Sequence, residues 1–381
     1  MPAASPPAII MGGSVFDSRS RSFSASPVRL EDGVIAGTDA PDTGADVIDA
    51  TGLIVTAGLV DLHTHVFVGQ DAGVEPDALG ARTGVTTMVD AGSSGAHLFE
   101  AFTKTTLEPS ETRIVAFLNI STIGITSFRL RGELRTIEYC DPQAAVAMAE
   151  AHRDTIVGIK VRASADVGAE NAVEALGRAR SAADSTGLPL MVHLGPAPAT
   201  VDQILDRLEP GDVLTHCFTG FTGNQVVDAA PRASVRRAYE RGVLFDVGHG
   251  GTGFDATVAR TMIDAGLPPH TISSDVHAHS IATLPGGLPS TMSKLLALGL
   301  PLAYVIDAAT ARPAAAVRLG RLGVGTLDVG TRADVAAFRL VERETSFTDG
   351  HGHTFTGTQE LEPVFTIRNG RRVFGLSDEQ N

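Results

Sequence analysis

Apolar residues gather in eight short runs through the middle of the chain, at 59–65, 85–91, 114–120, 156–161, 188–194, 213–217, 243–247 and 271–276. Stretches with helical spacing of apolar positions follow or separate them, at 142–154, 170–185, 200–208, 234–241, 255–265 and 289–298. Short continuous apolar runs suit strands buried on both faces, as in a parallel sheet covered by helices. Strand alternating with helix eight times predicts an α/β fold, a TIM-type (β/α)8 barrel. An open doubly wound sheet would need a glycine-rich phosphate turn after its first strand, and none follows residue 65.

The two ends read differently. Hairpin signals stand at Asp32-Gly33, between Val28-Arg29-Leu30 and Val34-Ile35, and at Asn369-Gly370, between Phe365-Thr366-Ile367 and Val373-Phe374. Neither end alone can enclose a good core. The expected arrangement is one composite β-sandwich from residues 1–58 and 327–381, beside a barrel of residues 59–326. The connection at 121–141 is too long for a simple turn, and its place after the third strand puts it over the barrel mouth.

Length and charge narrow the function classes. The chain has 381 residues, with 30 Lys+Arg against 44 Asp+Glu, a formal net charge of -14. No basic run interrupts that balance, which argues against nucleic acid as a partner. Two cysteines, Cys140 and Cys217, cannot make a disulfide framework or a four-thiolate zinc site, and they fit a reducing compartment. The longest apolar stretch, at 295–306, is interrupted by Gly299 and Pro301, and residues 1–7 show no cationic segment followed by an apolar one. These features predict a cytoplasmic protein without a membrane span.

Candidate chemistry collects at the C-terminal ends of the predicted strands. The first ends Val60-Asp61-Leu62-His63-Thr64-His65, where alternation puts His63 and His65 on one face. Others end at His193, His216 and Asp275. These side chains can converge only if the sheet closes, which makes the set a far stronger signal than any member. Lys160 lies in the apolar run Ile156-Val157-Gly158-Ile159-Lys160-Val161, where burial favours the neutral amine. A neutral amine can take up carbon dioxide as a carbamate able to bridge two metal ions; the competing assignment is an ion pair of Lys160 with Asp275 and no metal.

His63-x-His65, Lys160, His193, His216 and Asp275 reproduce in order the ligand pattern of the amidohydrolase superfamily, in its binuclear branch with a carboxylated lysine. The segments Gly158-Ile159-Lys160-Val161-Arg162, Thr215-His216-Cys217-Phe218, Phe245-Asp246-Val247-Gly248-His249-Gly250 and Ser273-Ser274-Asp275-Val276-His277 resemble the deacetylase-like members near dihydroorotase, some of which hydrolyse the acetyl ester of mandelate. The resemblance implies two divalent metal ions, zinc first: one held by His63, His65 and Asp275, the other by His193 and His216, with carboxylated Lys160 joining them. It implies hydrolysis by attack of a metal-bridging hydroxide, with Asp275 and Lys160 catalytic. Asp275 would take the proton and pass it to the leaving group. A homo-oligomer is the family expectation.

For the substrate, Arg162 is two residues beyond Lys160 on the same strand face and is a candidate receptor for a carboxylate. Asn119 ends the third strand and is a candidate for orienting substrate. His249 is a candidate oxyanion donor or substrate ligand, and His277 a support for the metal site or a substrate ligand. His351 and His353 read as a solvated surface. Dihydroorotases carry an arginine soon after His-x-His, whereas Val66-Phe67-Val68-Gly69 follows here. The expected activity is removal of an acyl group, acetyl first, from a small carboxylate-bearing ester or amide. The alternatives are a cyclic amidohydrolase of the dihydroorotase or hydantoinase kind, and a catalytically silent barrel serving as an assembly subunit.

Overall fold

Seven of the eight predicted runs join one parallel sheet in sequence order: β1 (Leu59–Thr64), β2 (Val85–Gly95), β3 (Arg113–Asn119), β4 (Ile156–Arg162), β5 (Leu190–His193), β6 (Val213–Thr215) and β7 (Leu244–Asp246). The computed structural model describes residues 7–38, 44–221, 223–282, 284 and 286–375, so residues 1–6, 39–43 and 376–381 of the expected composite sandwich lie outside the described residues.

The eighth run, 271–276, closes the ring through two isolated parallel bridges, Asp246↔Thr271 on one side and Thr64↔Val276 on the other. It does not make a continuous ladder, for two local reasons. Ser274 donates its backbone N–H to the Asp61 carboxylate (2.9 Å) rather than to a strand carbonyl, and Asp275 adopts a left-handed backbone with φ 48°. Both departures occur where the chain presents a candidate ligand. A left-handed backbone on a residue with a side chain is costly and collects at functional sites.

The lower barrel is filled by Val60, Leu62, Val89, Phe117, Met191 and Val213, and residues Ala314, Val317 and Leu319 plug its base. Strict alternation from Val60 and Leu62 would turn His63 and His65 outward. Pairing of β1 with β2 shifts register between Asp61 and Thr64, and this irregularity brings both imidazoles into the mouth. In the other strands, register aligns Asn119 with Lys160, Arg162 with His193, and Thr215 with both His193 and Asp246.

Two antiparallel-rich sheets stand beside the barrel. One orders Val34–Gly37, Val28–Glu31, Ala8–Met11 and Asp46–Asp49; the other runs Arg371–Phe374, Thr354–Arg368, Val335–Thr348, Ile54–Ala57, Ser14–Asp17 and Ser22–Ser24. Ile10, Leu30, Ile35 and Val55 from the N-terminal part share a core with Val335, Ala337, Phe365 and Ile367 from the C-terminal part. Both Asx-Gly hairpins form, with Asp32 (φ 49°), Gly33 (77°), Asn369 (51°) and Gly370 (76°) all left-handed, as a type I′ turn demands. The pattern did not foresee how far the hairpin of Val335–Thr348 and Thr354–Arg368 extends. Its tip reaches the barrel loops, where Gly350 donates to the Phe254 carbonyl (2.8 Å) and His351 accepts from the Gly220 N–H (3.2 Å), so His351 is part of a packed contact rather than a solvated one.

Candidate metal centre

The strand ends bring His63, His65, Lys160, His193, His216 and Asp275 together in the barrel mouth. Asp275 is the focus: its Oδ1 lies 3.2 Å from Nε2 of His63 and 3.2 Å from Nε2 of His65. Ligand atoms of His63, His216 and Asp275 all lie within 4.8 Å of one another. The His216 ring sits 5.1 Å from that of His63 and 4.4 Å from that of His193. Lys160 is fully buried, with Nζ 3.5 Å from His63 Nε2 and 3.3 Å from Met191 Sδ. The competing assignment, a Lys160–Asp275 ion pair, is not among the ion pairs of the described residues, where Lys160 Nζ meets His63 and Met191 instead.

Backbone and side-chain acceptors fix which imidazole nitrogens face inward. His216 Nδ1–H donates to the Gly248 carbonyl (2.6 Å), leaving Nε2 with its lone pair. Thr215 spends its hydroxyl hydrogen on Asp246 Oδ2 (2.8 Å), so its oxygen accepts from His63 Nδ1 (2.8 Å) and His63 Nε2 is likewise free. His65 Nδ1 pairs with the Ser93 hydroxyl at 2.9 Å. Partners of this kind orient metal-binding imidazoles and tune their basicity.

The electrostatics agree. Burial pushes His65 down to about 3 and His216 to about 4, and takes His63 and His193 well below the usual histidine range, with neighbouring cations adding to the effect. Burial lowers Lys160 to about 7. Burial raises the Asp275 carboxyl, and its Oδ1 is buried without a hydrogen-bond donor. Neutral imidazoles aimed at an unsatisfied carboxylate oxygen, beside an amine close to neutrality, are a donor set that fits divalent metal. Glycine is required in the wall around them: Gly248 (φ 49°) and Gly250 (φ 48°) are left-handed, and a Cβ on them would collide with Thr215 Oγ1 and Asp275 Oδ2 respectively.

The remaining candidates are distributed around this centre. Arg162 is buried in the mouth, where Nε and Nη2 meet the two carboxylate oxygens of Glu133 at 2.7 and 3.0 Å. Burial opposes the guanidinium charge, but Glu133 holds its pKa above the ordinary value. Asn119 donates Nδ2–H to the Gly92 carbonyl (3.0 Å) and accepts the Ser121 N–H (2.9 Å), so it braces the rim. His249 donates from Nδ1 to the Gly250 carbonyl (2.9 Å), and its Nε2 accepts from Lys294 Nζ (2.7 Å). His277 stacks on Phe128, with ring centroids 4.5 Å apart, and accepts the His279 N–H at Nδ1 (3.2 Å).

Sequence reasoning missed several contributors. Phe128 and Glu133 come from the 121–141 connection, which crosses the mouth as expected; Phe128 sits edge-on to His65 (5.3 Å) and under the Arg162 guanidinium (5.4 Å). Asp71 anchors that segment by accepting from Ser127 Oγ (2.7 Å) and Phe128 N–H (3.2 Å). Asp246, buried, gathers the hydroxyls of Thr215, Thr271 and Ser273. The one available signal was Asp246 at the end of a predicted strand.

No family model matches the chain. A protein named deacetylase Atu3266 from Agrobacterium fabrum is 38% identical over 322 residues, covering 84% of this chain and 79% of its own. A protein named deacetylase from Brucella anthropi is 38% identical over 327 residues, 85% of this chain and 81% of that one. Among solved structures, one described as a dihydroorotase superposes with a TM-score of 0.89 at 34% identity, covering 97% of this chain and 98% of the other. One described as an adenine deaminase gives 0.88 at 30%, covering 96% and 98%. With the barrel, the six converging side chains and these relatives in hand, the chain belongs to the amidohydrolase superfamily of metal-dependent hydrolases.

Proposed function

We propose that this chain hydrolyses an acyl group, acetyl above all, from a small carboxylate-bearing ester or amide. The observation that carries the reading is the buried, donor-free Oδ1 of Asp275 between the Nε2 atoms of His63 and His65. It is supported by the deacetylase names of two relatives at 38% identity. The centre would be held by His63, His65 and Asp275 on one side, His193 and His216 on the other, with carboxylated Lys160 between them. Bound divalent metal would polarise the substrate carbonyl and supply hydroxide near neutral pH.

The chain's own groups complete the reaction. Asp275, whose carboxyl is raised by burial, is suited to receive a proton from the attacking water and return it to the departing oxygen or nitrogen. Lys160 near neutrality is suited to carboxylation, because the free amine is the reacting form. Phe128 places an apolar ring beside the centre, edge-on to His65 and stacked on His277. The Arg162–Glu133 pair sets the charge beside it, and a substrate carboxylate binding at Arg162 would share that guanidinium with Glu133.

The test is direct. Metal-loaded protein is offered O-acetylated α-hydroxy acids, N-acetyl amino acids and dihydroorotate, and each product is followed. Release of acetate from either acetylated class is the expected result. Turnover of dihydroorotate alone would replace the reading with a cyclic amidohydrolase, which the 34% identical dihydroorotase structure favours. Failure to bind metal under any loading condition would favour a silent assembly subunit.

A further inference from the structure

Lys294 is a buried cation that the proposed reaction does not use. It lies in the helix Gly287–Ala297, is 4% exposed, and is pushed down to about 8 by burial. Among the described residues no carboxylate forms an ion pair with it; its hydrogen bond goes to a neutral imidazole, His249 Nε2, at 2.7 Å. Asp349, at the tip of the long C-terminal hairpin, favours its charge from a distance. The Asp349 oxygens themselves accept backbone N–H groups from Ala256, His351 and His353. A buried ammonium without an ion pair is expensive, and packing alone would be served by methionine.

What Lys294 grips is the turn Gly248-His249-Gly250. Three consecutive N–H groups of this turn tie it to the Asp275 segment: Gly248 to Ser273 Oγ (3.0 Å), His249 to the Ser273 carbonyl (3.2 Å), and Gly250 to the Ser274 carbonyl (2.9 Å). The Gly248 carbonyl is the acceptor that fixes the His216 ring. In the run Gly248-His249-Gly250-Gly251 the only side chain is that of His249, so beyond these backbone bonds it is the one side-chain handle on the turn. Its Nδ1–H bond to the Gly250 carbonyl sets the tautomer that turns a lone pair to Lys294, and Phe254 stacks on its ring at 4.9 Å.

We infer that Lys294 is a positioning residue for the metal centre: by donating to His249 Nε2 it fixes the glycine turn that orients His216 and walls Asp275. The role rests on the metal-hydrolase reading above. It makes the helix Gly287–Ala297, itself packed on the hairpin through Leu361 N–H to Ser293 Oγ (2.9 Å), a strut between the terminal sheets and the metal ligands.

The experiment compares wild type, Lys294→Met, Lys294→Arg, His249→Phe and the Lys294→Met/His249→Phe double variant. Metal affinity is read by chelator competition, and ligand geometry by the visible spectrum of the cobalt-loaded protein. Lys294→Met is expected to keep its fold by circular dichroism, lose roughly 10- to 100-fold in affinity for at least one metal, and shift the cobalt bands. Lys294→Arg should recover most of the affinity, and the double variant should be no worse than the poorer single one. If Lys294→Met did not fold, His249→Phe, which cuts the same bond from the other side, gives the same reading. Unchanged affinity and spectrum in the folded variant, or losses that simply add, would overturn the assignment. A wild type that binds no metal would instead sink the hydrolase reading on which it rests.

Discussion

Lys160 and Arg162 stand two residues apart on β4, both facing the barrel interior and both buried, yet the protein treats their charges in opposite ways. Arg162 receives a carboxylate in matched geometry from Glu133, with Phe128 under the guanidinium. Lys160 receives none: its Nζ meets an imidazole nitrogen and a thioether sulfur. A guanidinium cannot shed its proton within a protein, so burying it demands a counter-ion. An ammonium can, and withholding the counter-ion leaves an amine ready for chemistry. Adjacent inward positions of one strand thus become a permanent charge and a reactive group, and the difference lies in what the neighbouring connection supplies.

Removing Lys160 tests the reactive half and should have the largest effect. Lys160→Ala is expected to lose most bound metal, measured by elemental analysis, and about a thousandfold or more of activity. Short-chain carboxylic acids that mimic a carbamate should restore part of both. A variant that kept both metals and full turnover would break the comparison at its root.

Arg162→Ala tests the permanent charge. It leaves the Glu133 carboxylate buried and unmatched, so the unfolding free energy should fall by about 3–5 kcal/mol, and Arg162→Ala/Glu133→Ala should regain a substantial part in the same denaturation series. With an anionic substrate KM should rise more than with a neutral analogue; equal rises would remove Arg162 from recognition.

A pH series sharpens the contrast without touching Arg162. Because the Lys160 pKa in the folded protein is near 7, below its unfolded value of about 10.4, the unfolded chain binds more protons between them, and stability rises with pH there. The cleanest window is pH 7 to 8, because above about 8.5 the thiols of the unfolded chain ionise while the buried ones, with Cys140 pushed up to about 12, do not, and this acts in the opposite direction. Metal-free wild type should therefore melt higher at pH 8 than at pH 7, and Lys160→Met should lose part of that rise, leaving the share due to Lys294. An identical rise in both proteins would contradict a depressed Lys160. Smallest is Phe128→Ala, where loss of the contact with Arg162 should cost about 1 kcal/mol in the same melts.

Much of this was legible in the letters. The strand runs placed His63, His65, Lys160, His193, His216 and Asp275 at one end of a closing sheet, because parallel strands inside a barrel are apolar up to the point where they turn functional. Two things were not. The bulge between Asp61 and Thr64 depends on pairing with β2, so simple alternation named the right residues while overlooking what re-aims them. Glu133, Phe128 and Lys294 lie in segments whose periodicity says nothing about distant partners; Lys294 reads as an ordinary helix lysine until His249 is found beside it.

The strand Ile54–Ala57 lies between Ser14–Asp17 and Val335–Thr348 and leads, after Gly58, straight into the first barrel strand. During synthesis that strand must wait, half-paired, until more than two hundred further residues have left the ribosome before Val335 arrives to cover it. Contacts so distant in sequence form late, and an incomplete chain ending near residue 330 would expose an open sheet edge to its neighbours. The same arrangement joins beginning and end into one cooperative unit, so trimming either terminus should loosen the other.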